Sequence, residues 1–295
     1  MKLSLWPSSA EPVADILAEA RAADADGWHG VWLADHYMPN TGDLSRDDGP
    51  MHEVWGLLPA VAAVTSRVRV GTLVSPTTIH HPALLAKRAA TVDHVSGGRF
   101  VLGMGAGWQR NEHDAYGFEL PGPRTLVDRF DEALRATRSL LDEKRTTFRG
   151  QFFDIDDAPA EPKPLQERLP ILVGAKGPRM LRLTARHAQE WNTWGLPESA
   201  ARVRAALLAA AEQVGRTDPL WTTTNWMLDV DGATPTAGRV ATGSVAELQD
   251  LAGRYVEAGF DEFILPTWNL GATTAERQDR AARIKADVFG PVLDG

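Results

Sequence analysis

Residues 97–112 read GGRFVLGMGAGWQRNE, and this stretch joins a predicted strand to a predicted helix. The apolar and glycine-rich run at 99–105 predicts a buried strand, and the polar residues after it predict the start of a helix. Between them, GAGW at 105–108 places small residues where the strand passes into the helix. Small residues there leave the backbone open to close approach. The stretch therefore indicates either a tight turn or a surface that a flat cofactor can approach.

The same passage from strand to helix recurs along the whole chain. Strands are predicted at 2–6, 30–35, 68–74, 99–105, 170–175, 190–195, 220–230 and 261–267, with helical patterns between them, one of which is interrupted by Pro59. Strands alternating with helices indicate βαβ units and a parallel sheet. Eight such units favour an α/β fold of the closed (β/α)8 TIM barrel type over an open sheet. The proline-rich segment 143–169 fits no unit, so we expect a single domain over 1–295 with an insertion carrying a hairpin between helix 4 and strand 5.

The composition excludes several classes of protein. With 295 residues, 43% hydrophobic and 24% charged, the chain is typical of a globular protein with a large core. A net charge of -8 argues against nucleic acid as a partner, and no apolar run is long enough for a membrane span or a signal peptide. The absence of cysteine excludes disulfides and thiolate metal sites, and it suits a cytoplasmic protein.

Ten tryptophans are an unusual number, and many lie near predicted strand ends or loops. These are Trp6, Trp55, Trp108, Trp191, Trp194, Trp226 and Trp268. They either fill the core or, gathered at one end of the barrel, line a pocket for a flat aromatic molecule.

Five segments, in this order along the chain, resemble the bacterial luciferase-like family of flavin monooxygenases and coenzyme F420 (deazaflavin) oxidoreductases. They are GWHGVWLADHYMPN (27–40), VRVGTLVSPTTIHHPALLAKRAATVDHVSGGR (68–99), SGGRFVLGMGAGWQRNEHDAYGF (96–118), PILVGAKGPRMLRLTARHAQEWNTW (170–194) and GSVAELQDLAGRYVEAGFDEFIL (243–265). The resemblance implies a deazaflavin or FMN ring bound at the carboxyl ends of the barrel strands, where such barrels hold their active sites. It also implies a homodimer.

At the strand 3 exit, the resemblance implies a bulge with a non-prolyl cis peptide bond that supports the ring from behind. The matching positions are Leu73 and Val74, and they are followed by Ser75 and Thr77 as further cofactor contacts. The alternative is a plain strand that ends at Pro76.

At the strand 2 exit, Asp35 and His36 resemble the Asp-His pair that lies at the ring's edge in the deazaflavin members. A histidine exchanges protons near neutral pH, and hydride transfer needs a proton partner. Asp35 and His36 are therefore candidate catalytic residues, with Asp35 also a cofactor contact. The alternative is a structural hydrogen-bonded pair.

At the strand 4 exit, the chain departs from its deazaflavin relatives. Sugar dehydrogenases of this type resemble it at Asn111 but carry a glutamate where this chain has Trp108, which puts sugar oxidation in doubt. Gly105 and Gly107 are interpreted as backbone clearance beside the ring. Trp108 is interpreted as a catalytic-site wall, or alternatively as a core residue, and Glu112 as a surface charge.

At the strand 5 exit, VGAKGPR at 173–179 passes into a helix N-terminus. Free amide groups and the helix dipole favour an anion there, and the resemblance assigns the cofactor phosphate to Gly174, Ala175, Lys176 and Gly177. Lys176, Arg179 and Arg110 are candidates for the anionic tail of F420. The alternative is an ordinary loop. No metal site is expected at His80 and His81, which have no acidic partner at ligand spacing.

Three functions are compatible with these residues. The first is an F420-dependent oxidoreductase that transfers a hydride between the deazaflavin C5 and a small organic substrate, with reduction of an imine or activated alkene favoured. The second is an FMN-dependent monooxygenase that uses O2 and a flavin reduced by a separate reductase. The third is a binding barrel without chemistry. Residues 37–51 and 143–169 are candidate lids.

Overall fold

The computed structural model describes residues 1–39, 49–232 and 239–294. Its strands are β1 (Lys2–Trp6), β2 (Gly30–Leu33), β3 (Arg69–Thr72), β4 (Ser75–Pro76), β5 (Phe100–Gly105), β6 (Thr146–Arg149), β7 (Asp154–Ala158), β8 (Ile171–Gly174), β9 (Glu190–Trp194), β10 (Trp221–Asn225), β11 (Met227–Val230), β12 (Val240–Gly243) and β13 (Glu262–Pro266).

Helices connect these strands over the outside of the sheet. They are α1 (Val13–Ala25), α2 (Val54–Val64), α3 (Pro82–Ser96), α4 (Arg110–Tyr116), α5 (Pro123–Asp142), α6 (Pro178–His187), α7 (Pro197–Gln213), α8 (Val245–Glu257), α9 (Thr274–Arg283) and α10 (Gly290–Asp294). A π-helical turn, Ile284–Phe289, joins the last two helices.

The main sheet closes on itself. Its strands follow the order β3-β2-β1-β13-β10-β9-β8-β5, and β3 also pairs with β5. Every pairing within this ring is parallel. The predicted (β/α)8 TIM barrel is therefore confirmed, and β4 extends the β3 position by pairing with β5 at the mouth.

Two layers of apolar side chains hold the barrel together. Trp32, Leu73, Val101, Leu172 and Ile264 form one cluster, with Trp6 and Val74 packed on it. A much larger second cluster includes residues of the helices and of the strand faces that they cover. The members of the first cluster lie on or next to the barrel strands.

Three local predictions need correction or confirmation. The helix containing Pro59 is continuous, because the proline lies in its second turn and the helix runs on to Val64. The stretch 220–230 is not one strand, since β11 leaves the barrel and pairs in parallel with β12 in a separate sheet. The predicted hairpin in the 143–169 insertion is present as antiparallel β6 and β7.

Candidate active site at the barrel mouth

Asp35 lies just beyond β2 and is fully buried, and one of its carboxylate oxygens accepts three hydrogen bonds. Oδ2 accepts hydrogen bonds from Ser75 Oγ at 2.5 Å, His80 Nε2 at 2.8 Å and Trp55 Nε1 at 3.1 Å. Burial disfavours the charged form, but the hydrogen bonds from His80 and Ser75 outweigh it and lower the pKa of Asp35. Asp35 is thus a charged anchor that ties β2, β4 and two helix starts together.

The alternative interpretation, a structural hydrogen bond between Asp35 and His36, is wrong. Adjacent residues in extended backbone point in opposite directions, and the two side chains take different partners. His36 Nδ1 lies 2.9 Å from Glu112 Oε1, and the other carboxylate oxygen accepts the Tyr37 amide at 2.8 Å. Glu112 is 1% exposed, so its interpretation as a surface charge is also wrong.

Trp108 lies beside this pair at the opening of the barrel. Its ring meets His36 edge to face, with centroids 5.7 Å apart and an interplanar angle of 88°. Trp108 is 52% exposed, so the alternative interpretation of Trp108 as a core residue is wrong. Trp108 can therefore contact a molecule that enters the mouth next to His36.

The strand 3 exit contains the cis peptide bond expected between Leu73 and Val74. Val74 then lies against the β5 and β8 ends: a Cβ on Gly105 would come within 2.7 Å of Val74 Cγ2, and one on Gly174 within 3.2 Å. A side chain at Gly105 would therefore displace Val74. The close approach that demands glycine here is to the chain's own valine, whereas the sequence interpretation assigned it to the cofactor.

The requirement for glycine at position 107 also has a local cause. Its φ of +99° is one that residues with side chains rarely adopt, and a Cβ would meet Thr78 Oγ1 at 2.4 Å. Thr78 is held in turn by His113, whose Nε2 lies 2.7 Å from its hydroxyl.

Four of the tryptophans noted in the sequence gather at the strand ends. Trp6 meets Trp268 at 5.1 Å and Trp194 at 6.0 Å, and Trp194 meets Trp226 at 5.4 Å, measured between ring centroids. All four are partly exposed. Trp55 and Trp191, in contrast, are buried. The cluster forms one aromatic wall of the mouth.

A basic cavity of about 480 Å³ lies beside that wall. Its lining includes Trp194, Trp226, the cations Lys176, Arg202 and Arg239, and the carboxylate of Glu198, which is paired with Arg254. Partial burial lowers the pKa of Lys176, and the charge of Arg239 lowers it further. Cations brought together in one cavity suit an anion such as a phosphate or carboxylate.

The loop before α6 reaches this cavity through Lys176. Gly177 is the N-cap of α6, and no side chain caps this helix end. The Ala175 amide and carbonyl are already bound, to the Asn192 carbonyl and the Trp191 indole. Of the other predicted tail contacts, Arg179 is paired with Asp128, and Arg110 is absent from the cavity lining.

Several buried polar atoms at the strand ends have no hydrogen-bond partner among the described residues. They are Asp35 Oδ1, Thr77 Oγ1, Asn111 Nδ2 and Trp194 Nε1. Buried polar groups are normally paired, so unpaired ones call for a partner. A bound molecule at the strand ends could supply these missing hydrogen bonds. Leu73, Ser75 and Gly177 remain predicted contacts of the cofactor ring and its tail.

Sequence reasoning missed His80, Glu112 and Arg239 as parts of the site. His80 donates to Asp35 from 45 residues away, and Glu112 reaches His36 across 76 residues. One signal could have found Glu112: it follows Asn111 at the start of a helix that begins beside the barrel mouth. Nothing in the sequence placed Arg239 next to Lys176.

The described ranges contain no group of three or more His, Asp or Glu residues able to hold a metal ion. None of the helices in those ranges combines the length and hydrophobicity needed to cross a membrane. Most of the candidate lid at 37–51 lies outside the described residues.

Comparisons with known proteins agree with the fold. The chain is 38% identical over 167 residues to an F420-dependent glucose-6-phosphate dehydrogenase of Kineococcus radiotolerans, covering 56% of this chain and 47% of that protein. It is 32% identical over 171 residues to the pyrimidine monooxygenase RutA of Cronobacter sakazakii, covering 56% and 50%. The chain thus spans about half the length of these curated relatives.

A solved F420-dependent secondary alcohol dehydrogenase, in complex with an F420-acetone adduct, superposes with a TM-score of 0.79 at 20% identity. The match covers 90% of this chain and 92% of that one, and it supports the fold. The family model for luciferase-like monooxygenases matches residues 1–230. The chain belongs to the luciferase-like monooxygenase family.

Proposed function

We propose that this protein is an F420-dependent oxidoreductase that moves a hydride between the deazaflavin C5 and a small organic substrate. Reduction of an imine or activated alkene is the reaction that we favour. The observation that carries the proposal is the set of unpaired buried polar atoms at the strand ends, since these atoms suit a polar flat ring. When bound, the reduced deazaflavin supplies the hydride.

The residues of the chain have separate tasks in this proposal. Val74 supports the ring from below, and Asn111 Nδ2 and Thr77 Oγ1 supply hydrogen bonds to its edge. Lys176, with Arg202 and Arg239, holds the anionic tail. The tryptophan wall and Trp108 exclude water and orient the substrate, which lowers the entropic part of the barrier. His36 supplies or removes the proton.

Two features support F420 over FMN. Relatives named as F420-dependent dehydrogenases align with the chain, and three cations in one cavity match a cofactor with a longer anionic tail. An FMN-dependent monooxygenase is the second candidate, because the relative RutA is a monooxygenase. A homodimer, a separate reductase and a cytoplasmic location remain predictions.

Titration of the purified protein with F420 and with FMN, each oxidised and reduced, tests the proposal. We expect micromolar or tighter binding of F420 and at least tenfold weaker binding of FMN. Reduced F420 should then be oxidised in the presence of 2-methyl-1-pyrroline or cyclohex-2-enone without consumption of O2. A preference for reduced FMN with uptake of O2 would establish the monooxygenase, and binding of neither would refute both.

A further inference from the structure

Both oxygens of the buried Glu112 carboxylate form hydrogen bonds with the chain segment that follows β2. Oε1 lies 2.9 Å from His36 Nδ1, and Oε2 accepts the Tyr37 amide at 2.8 Å. A third bond joins the same two segments, from Gln109 Nε2 to the Met38 carbonyl at 3.0 Å. Glu112 therefore sits in a fixed place relative to the His36 ring.

This contact determines which nitrogen of His36 carries a proton. An ionised carboxylate only accepts hydrogen bonds, so the proton of the contact belongs to Nδ1. Rotating the ring by half a turn would replace Nδ1 with a carbon and leave Glu112 Oε1 buried without a donor, which is costly. Trp108, edge on to the ring at 5.7 Å, also restricts that rotation.

Glu112 leaves the other ring nitrogen, Nε2, unbound. No residue in the described ranges forms a hydrogen bond to His36 Nε2, and 16% of the side chain is exposed at the mouth. Asp35 does not take this role, because its hydrogen bonds go to Ser75, His80 and Trp55 and none joins it to His36.

We propose that Glu112 is a positioning residue that holds His36 in the Nδ1–H form and so makes Nε2 the atom that exchanges a proton with the substrate. The inference rests on the proposed function for its chemical meaning. It assigns to His36 a carboxylate one turn beyond Trp108.

The proton balance follows directly. In reduction of an imine, the carbon gains the hydride and the nitrogen gains the Nε2 proton, so C=N becomes CH–NH and the cofactor is oxidised by two electrons. His36 then loses one positive charge and remains neutral with its proton on Nδ1, stabilised by Glu112 throughout. Water at the barrel mouth returns the proton to Nε2. In the oxidative direction, the same atom accepts it.

The test is nitrogen NMR of the cofactor-free protein with ¹⁵N-labelled histidine, because the two ring nitrogens report the tautomer. His36→Asn identifies the His36 signals among the eight histidines. At a pH where the ring is neutral, we expect the Nδ1–H form to exceed the Nε2–H form at least tenfold. Glu112→Gln should reverse this ratio, since its amide can donate to Nδ1 while its oxygen still accepts the Tyr37 amide.

Asp114→Asn is the matched control, on the same helix but exposed, and it should leave the ratio unchanged. An Nε2–H form or an even mixture in the unmutated protein would overturn the proposal, and so would an unchanged ratio in folded Glu112→Gln. The spectrum of the unmutated protein decides the matter even if that variant fails to fold. Failure to bind F420 would refute the proposed function while leaving the tautomer result intact.

Discussion

His80 Nε2 donates a hydrogen bond of 2.8 Å to Oδ2 of Asp35, joining the N-terminal approach to α3 to the end of β2. Arg88 donates in turn to His80 Nδ1 at 3.1 Å, which places the single proton of a neutral ring on Nε2. This relay fixes the charged Asp35 inside the protein, beneath the residues that form the mouth.

Replacing Asp35 should therefore damage the fold more than the chemistry. Asp35→Ala leaves the donors Ser75, His80 and Trp55 buried without an acceptor, and such losses cost about 3–5 kcal/mol. We expect a fall of that size in the free energy of unfolding measured in urea. Ser75→Ala, which removes one donor to the charged carboxylate, should cost less, about 1.5–3 kcal/mol. Equal losses in the two variants would show that Asp35 is not the centre of this network.

Gly105 should be intolerant of a side chain because of Val74. Gly105→Ala places a Cβ 2.7 Å from Val74 Cγ2, and overpacking of this kind costs about 1–3 kcal/mol. The combination of Val74→Ala with Gly105→Ala should be less destabilised than the sum of the single variants, as thermal unfolding can measure. Gly122→Ala, where the added atom meets nothing within 4 Å, is the control. Additive losses would contradict the contact.

The basic cavity should recognise the anionic tail of the cofactor and not its ring. Lys176→Ala or Arg239→Ala should each weaken F420 binding roughly tenfold, the effect of about 1.4 kcal/mol, and more at low salt. Binding of the deazaflavin fragment without its phosphate tail should change by less than twofold. Arg182→Ala, an exposed cation on α6, serves as the control. Equal weakening of F420 and the fragment would place the tail elsewhere.

At the opposite end of the barrel, burial raises the pKa of Glu190 to about 7 from an ordinary value of 4.5, even though Arg69 and Glu190 form an ion pair. The folded protein holds this proton more tightly than the unfolded chain. The stabilisation from Glu190 is therefore complete below pH 4.5 and is lost as the pH rises to about 7.

Glu190→Gln should remove this dependence. Relative to the unmutated protein, the variant should gain up to about 3 kcal/mol in free energy of unfolding between pH 4.5 and pH 8. Urea unfolding at several pH values measures the difference, with the same change at the exposed Glu167 for comparison. A difference that does not vary with pH would mean that Glu190 is ionised throughout this range.

The (β/α)8 barrel could be predicted from the sequence alone. The periodic exchange of buried strands and amphipathic helices is a local property, and eight such units leave few other ways to bury their apolar faces. The resemblance also located the cis peptide at Leu73 and Val74 and the basic loop at Lys176, because these features sit at fixed points of a strand exit.

The hydrogen-bond partners of Asp35 and His36 could be identified only from the tertiary structure. Asp35 and His36 are neighbours in sequence, yet they face different elements. In the closed barrel, Asp35 forms a hydrogen bond with His80, and His36 forms one with Glu112. Residues distant in sequence also meet at the cavity, where Lys176 and Arg239 both contribute to the lining. Hydrogen bonds and burial act over a few ångströms, so side chains 45 or 76 residues apart can be matched only once the strands are in register.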